Sequence, residues 1–112
     1  MNIGVREARG IAILDLEGRF VAGDGEETFR EVLGGLLEGK RKKILLNLAG
    51  VTAIDSAGVG ELVEGKKLAE RYGARLKLLE ARGRVRHVLD ASLLLPVFEH
   101  FTEEAAALAS FD

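Results

Sequence analysis

The sequence predicts an α/β domain built on a mostly parallel sheet of four to five strands with covering helices. Three observations predict it. Apolar residues switch repeatedly between the alternation of a strand and the three-to-four spacing of a helix. The run Ile44-Leu45-Leu46-Asn47-Leu48 is almost uniformly apolar, as a central strand covered on both faces must be. The chain has 112 residues, 47 % of them apolar, which suits a single packed core. No repeat, low-complexity tract or linker divides it, so residues 1–112 read as one domain.

Taken in order, Ile3 and Val5 alternate with polar neighbours and predict a first strand. Arg9-Gly10 is a turn, and Ile11 to Glu17 returns as a second strand, antiparallel to the first. Gly18 to Gly25 reads as a loop containing three glycines. Phe29, Val32, Leu33, Leu36 and Leu37 then mark one face of a helix. Asp24 is its candidate cap, Glu26 and Glu27 suit its first turn, and Gly39 its stop. Gly34 and Gly35 weaken that helix, which suggests close packing there. After the third strand, Val59, Leu62, Val63, Ala69 and Tyr72 predict a second helix ending at Gly73. Leu76 and Leu78 alternate with Arg75 and Lys77 as a fourth strand. Gly83 to Ala91 is a short helix, Pro96 to Glu99 a short extended piece, and Thr102 caps a closing helix. The order is β-β-α-β-α-β-α-β-α, which implies a mostly parallel sheet.

Composition excludes several functions. There are 16 basic and 18 acidic residues, a formal charge of −2, so neither nucleic acid nor an anionic membrane is an expected direct partner. The basic cluster Lys40-Arg41-Lys42-Lys43 joins a helix to a buried strand and reads as a solvated corner. With no cysteine, disulfides and thiolate metal sites are excluded. His87 and His100 have no second ligand at metal spacing. No metal, cofactor or catalytic residue is expected. No apolar stretch is long enough for a membrane span, and Met1 to Glu7 lacks signal-peptide character. The expectation is a soluble cytoplasmic protein.

The turn Asp55-Ser56-Ala57-Gly58-Val59-Gly60 carries the chemistry. It follows an apolar strand and opens a helix, which places the Ser56 hydroxyl at a helix start beside a carboxylate. Helix starts have unpaired N–H groups and partial positive charge, so a phosphate is well placed there. Asp and Ser are also ordinary helix caps, and the short run alone does not separate the two roles. Gly58 and Gly60 carry no side chain and so offer a partner close approach to the backbone. Strand-to-helix turns of parallel sheets are where ligands and partners bind.

Over nearly its whole length the chain resembles the STAS domain, the fold of the bacterial anti-sigma-factor antagonists. The resemblance rests on two opening strands, an Asp in the following loop, the apolar third strand, and Asp55-Ser56-Ala57-Gly58-Val59-Gly60 at the next helix start. Phe98-x-x-Phe101-Thr102-Glu103-Glu104-Ala105 extends it to the end of the chain. The resemblance implies a partner switch. The unphosphorylated antagonist binds a serine-kinase anti-sigma factor and frees a sigma factor. Phosphorylation of the motif serine, here Ser56, releases it, and a phosphatase resets it. Asp24, Asp55, Ser56, Ala57, Gly58 and Gly60 are then the partner-binding residues. Phosphoserine adds about −1.5 to −2 charges, repulsive beside Asp24 and Asp55 at a desolvated interface.

Other functions compete. Stand-alone STAS domains also resemble accessory subunits of ATP-driven lipid-transport complexes, where Ser56 would only cap and contact. An enzyme with Ser56 as nucleophile needs a base and an elbow motif, and the chain has no Gly-x-Ser-x-Gly. Neither a P-loop nor a dinucleotide fingerprint is present. A homodimer through the first strand's edge is the remaining expectation about partners.

Overall fold

The computed structural model describes residues 1–112, with the side chain of Leu95 left aside. Five strands and four helices follow the expected order. They are β1 (Asn2–Ala8), β2 (Ile11–Phe20), α1 (Glu26–Glu38), β3 (Lys43–Ile54), α2 (Ser56–Arg71), β4 (Arg75–Leu79), α3 (Gly83–Ala91), β5 (His100–Phe101) and α4 (Glu104–Ala109). The sheet order is β1-β2-β3-β4-β5. β1 pairs antiparallel with β2, and all later pairs are parallel.

Side-chain parity divides the core. Leu14, Leu16, Ile44, Leu46, Leu48 and Leu78 face one side of the sheet and meet Phe29, Leu33, Leu62, Val85 and Leu89 from α1, α2 and α3. The alternate residues Ile11, Ile13, Leu45 and Leu79 face the other side and meet Ala107, Leu108 and Phe111. The fully buried Phe29 ring alone contributes about 1.5–3 kcal/mol by leaving water. On the α4 side, Arg6 donates to Asp15 at 2.7 Å and to Glu104 at 3.1 Å, and Asn47 donates to Asp15 at 2.8 Å. Burial pushes the Asp15 carboxyl up, but the hydrogen bonds from Arg6 and Asn47 outweigh it and hold the group below its ordinary value. Lys77 is buried, its Nζ donating to the Ser110 carbonyl at 2.9 Å and hydroxyl at 3.0 Å and pairing with Glu99 at 3.0 Å. The Phe111 ring lies 4.5 Å from the same nitrogen.

Several local expectations are corrected. β2 runs on through Gly18 to Phe20, because a register shift lets Arg19 and Phe20 pair with Ala53 and Ile54. The loop is therefore shorter, 21–25. Asp24 does not cap α1. Gly25 holds that position at φ +95°, and Asp24 instead accepts a hydrogen bond from the Met1 amino group at 3.0 Å. At the other end Gly39 does stop α1, and Lys40 after it takes the left-handed conformation at φ +65°, with Arg41 N–H bonding back to the Leu36 carbonyl. The tight glycine is not Gly34 or Gly35, where an added Cβ would meet nothing within 4 Å. The glycine packed tightly against α1 is Gly65 on α2, where a Cβ would lie 2.9 Å from the Phe29 ring. The last strand starts later than Pro96, which lacks an N–H and sits in a single 3-10 turn, Leu95–Val97. Pairing begins where Leu78 N–H reaches the Glu99 carbonyl. Glu103, not Thr102, precedes α4, since Ala107 N–H bonds to the Glu103 carbonyl.

Two predictions follow from this packing. In urea denaturation, Gly34→Ala and Gly35→Ala should each stabilise by about 0.5–1 kcal/mol, since both sites are helical and open. Gly65→Ala should destabilise by about 1–3 kcal/mol through overpacking against Phe29. His100 Nε2 accepts from the Ala81 N–H at 3.0 Å, and burial, aided by Arg86, lowers the imidazole pKa from its ordinary value. As pH falls, the unfolded chain then takes up a proton before the folded one does, so this contribution is present above the unfolded pKa and lost below it. Melting temperature should drop between about pH 7.5 and about 5.5, and His100→Gln should flatten that drop.

Candidate functional site

The C-terminal ends of β2 and β3 meet at the Asp55-Ser56 turn. β3 leaves the sheet at Ile54, and Asp55 takes the extended conformation of a helix cap at φ −123°. Its Oδ1 accepts from the Gly58 N–H at 3.0 Å, and its Oδ2 accepts from the Ala22 N–H at 3.0 Å. One carboxylate thus closes the first turn of α2 and fastens the loop after β2 to it. The backbone N–H groups of Ala22 and Gly58 hold its pKa below the ordinary carboxylate value. Asp55 stays charged across the physiological range.

Ser56 is the first residue of α2 and is exposed. Its hydroxyl makes no hydrogen bond among the described residues. The cap of α2 is therefore the neighbour, and the serine is left free at the positive end of the helix. Ala57 is half-buried beside it, and Gly60 is exposed with open space around its Cα. Gly58 does not offer its backbone to a partner, which corrects the expectation for that residue. It is buried, and an ideal Cβ there would fall 2.1 Å from the Phe20 carbonyl oxygen. The missing side chain makes room for the chain's own β2.

Acidic groups lie in the loop that Asp55 fastens to the turn. Asp24 lies in the 21–25 loop with its side chain 44 % exposed. Glu26 accepts from the Gly23 N–H at 2.7 Å, and Asp24, Glu26, Glu27 and Arg30 line a mainly acidic recess of about 600 Å³. The same Arg30, on α1, donates to Glu61 of α2 at 2.9 and 3.0 Å. The pair also lines a groove of about 330 Å³, together with Phe29, Leu33, Gly65 and Leu68. The groove runs along the helix seam and does not include Ser56. Sequence reasoning missed Ala22, Phe20 and the Arg30–Glu61 pair. The first two act through backbone atoms, which leave no side-chain signal. Arg30 follows Glu26 at four residues, a spacing that suggests a pair within α1 rather than one across to α2.

The geometry makes Asp55 the structural member of the turn and Ser56 the free one. Asp55→Ala should lower the melting temperature and speed hydrogen exchange at the Ala22 and Gly58 amides together. Ser56→Ala should leave both unchanged. Because the Asp55 pKa is depressed, its stabilisation is present above the unfolded value and is lost as pH falls through the folded one. The two variants' melting curves should therefore converge in acid.

Comparison with known proteins fits this architecture. The STAS domain family model matches residues 2–107. A proposed anti-sigma factor antagonist from Thermotoga maritima superposes with a TM-score of 0.86 at 21 % identity, covering 96 % of this chain and 92 % of that one. Bacillus SpoIIAA in its phosphorylated form superposes at 0.74 with 20 % identity, covering 99 % of this chain and 100 % of SpoIIAA. A sulfate transporter family protein from Wolinella succinogenes superposes at 0.71 with 23 % identity, covering 92 % and 85 %. No curated protein sequence matches. The match to the family model spans all five strands and most of α4, and the chain belongs to the STAS domain family.

Proposed function

We propose that this protein is an anti-sigma-factor antagonist working as a phospho-regulated partner switch in the cytoplasm. Its unphosphorylated form binds a serine-kinase anti-sigma factor and so frees a sigma factor. The kinase phosphorylates Ser56, the complex dissociates, and a phosphatase restores the binding form. The observation that carries this reading is the division of labour at the turn. Asp55 already caps α2, so the exposed Ser56 hydroxyl is not needed for the fold and is open to modification. Similarity to SpoIIAA, solved in both phosphorylated and unphosphorylated forms, supports it. The chain acts here as a binder rather than an enzyme.

The electrostatics suit such a switch. A phosphate on Ser56 would sit at a helix N-terminus, where the domain tolerates negative charge. Asp24, Asp55, Glu26 and Glu27 outnumber the Met1 amino group and Arg30 here, which leaves this rim net negative. Two further charges there oppose docking of a desolvated partner surface while leaving the core untouched. The partner surface that meets the unmodified rim is expected to be basic.

The test uses three baits, wild type, Ser56→Ala and Ser56→Glu, each checked for folding, in a pull-down from the source organism. A kinase-fold anti-sigma protein should bind the first two and lose affinity about tenfold or more for the third. Incubation with that partner and ATP should add phosphate to wild type and not to Ser56→Ala. Equal capture by all three baits rules out the switch. Capture of a transporter ATPase instead would make the chain an accessory subunit of a transport complex.

A further inference from the structure

Strand β1 is an edge of the sheet, and its outer side faces no other strand among the described residues. Along such an edge, alternate residues direct their N–H and C=O outward, an open template for a further strand. Monomeric proteins commonly guard edges with lysine, proline or a bulge. β1 contains no Lys and no Pro, and its ladder with β2 runs from Asn2↔Glu17 to Ala8↔Ile11 without a register shift. Its two charged side chains are engaged within their own chain, Arg6 with Asp15 and Glu104, and Glu7 with Arg41. Val5, at the middle of the strand, is 49 % exposed.

We propose that β1 pairs antiparallel with β1 of a second copy, about a two-fold axis at Val5, joining two sheets into one. The register follows from geometry. A two-fold axis relating neighbouring antiparallel strands stands perpendicular to the sheet, so directly opposed residues must point to the same face. Only registers centred on a residue satisfy this. Centring on Arg6 sets two guanidinium groups opposite each other, which like charges disfavour. Centring on Gly4 leaves Ala8 unpaired and brings no side chains together at the axis. Centring on Val5 uses the whole strand. It sets Val5 against its symmetry mate, opposes each Arg6 to a Gly4 that leaves it room, and opposes each Glu7 to an Ile3. No like charges face each other. Ile3 and Val5 lie on the α1 face, since they pair with Leu16 and Leu14 of that core. The join therefore covers Val5 against its mate at the margin of that layer, with each Glu7 beside the Ile3 of the other copy.

This pairing is independent of the switch at Ser56. β1 runs opposite to β3, so the axis sends the two Asp55-Ser56 turns to opposite ends of the joined sheet.

The test is sedimentation of the untagged full chain over a concentration series, wild type against Val5→Lys, with circular dichroism to confirm folding. Wild type should dimerise as concentration rises, and Val5→Lys should weaken the dimer about tenfold or more. A second readout uses the absence of native cysteine. Opposed Cα atoms in such a pair lie about 4.5–5.5 Å apart, within disulfide reach. Under mild oxidation Val5→Cys should form a disulfide dimer about tenfold faster than Arg84→Cys, an exposed control on α3. A wild-type chain that stays monomeric at every concentration overturns the proposal. So does a dimer indifferent to Val5→Lys, and so does cross-linking at Val5→Cys no faster than at the control.

Discussion

The approach of the Phe20 carbonyl to Gly58 governs how the end of β2 meets the start of α2. An ideal Cβ at Gly58 would fall 2.1 Å from that oxygen, so no other residue type fits the position without moving a strand. With glycine there, α2 begins directly against the sheet. Asp55 then reaches the Ala22 N–H, and the loop after β2 is held beside the helix start. The Asp55-Ser56 turn depends on this contact. The exposure of Ser56 and the Arg30–Glu61 bridge between α1 and α2 both follow from where α2 starts. Because the helix start has no room to move inward, added charge at Ser56 is expressed at the surface and not as a rearranged core.

The two faces of the sheet are built on different physics. Three helices cover one face with an apolar layer. The other has only α4, a short helix, and fills the remainder with paired charges: Arg6 with Asp15 and Glu104, and Lys77 with Ser110 and Glu99. Charges so placed contribute modestly when they can reach water and cost heavily when a partner is removed. The aromatic rings of Phe101 and Phe111 near Lys77 screen it further from solvent.

Much of this fold could be read from the chain because it rests on side-chain periodicity. The helical spacing of Phe29, Leu33 and Leu37 places α1, the run Ile44–Leu48 marks only the first part of β3, which continues to Ile54, and α3 starts and ends where its glycine and its last apolar turn suggest. What escaped reading depends on backbone or on tertiary cover. Gly18 looks like a loop residue but lies in β2, because a register shift against β3 tolerates it there. Lys77 alternates with leucines as an exposed residue would, yet α4 covers it, and nothing near it in sequence announces that helix's position. At the site, the Asp-Ser pair and its helix start were legible. The role of Gly58 was not, since a glycine facing its own strand and one facing a partner are identical in sequence. Asp24 likewise looked like a cap because of its type and place, but the cap position is taken by Gly25 in the left-handed conformation.

The order of strands in the sheet is the order of strands in the chain. Each strand therefore finds its partner already made when it leaves the ribosome, and no strand waits for a later one to be inserted beside it. Loop-closure entropy is spent in small increments, one crossover at a time. The opening hairpin can act as a seed, and the parallel strands add outward from it. Only α4 breaks the sequence, since it returns across the far face to bring Glu104 to Arg6 on the first strand. Synthesis from the N-terminus thus builds one side of the molecule progressively and closes the other in a single final step.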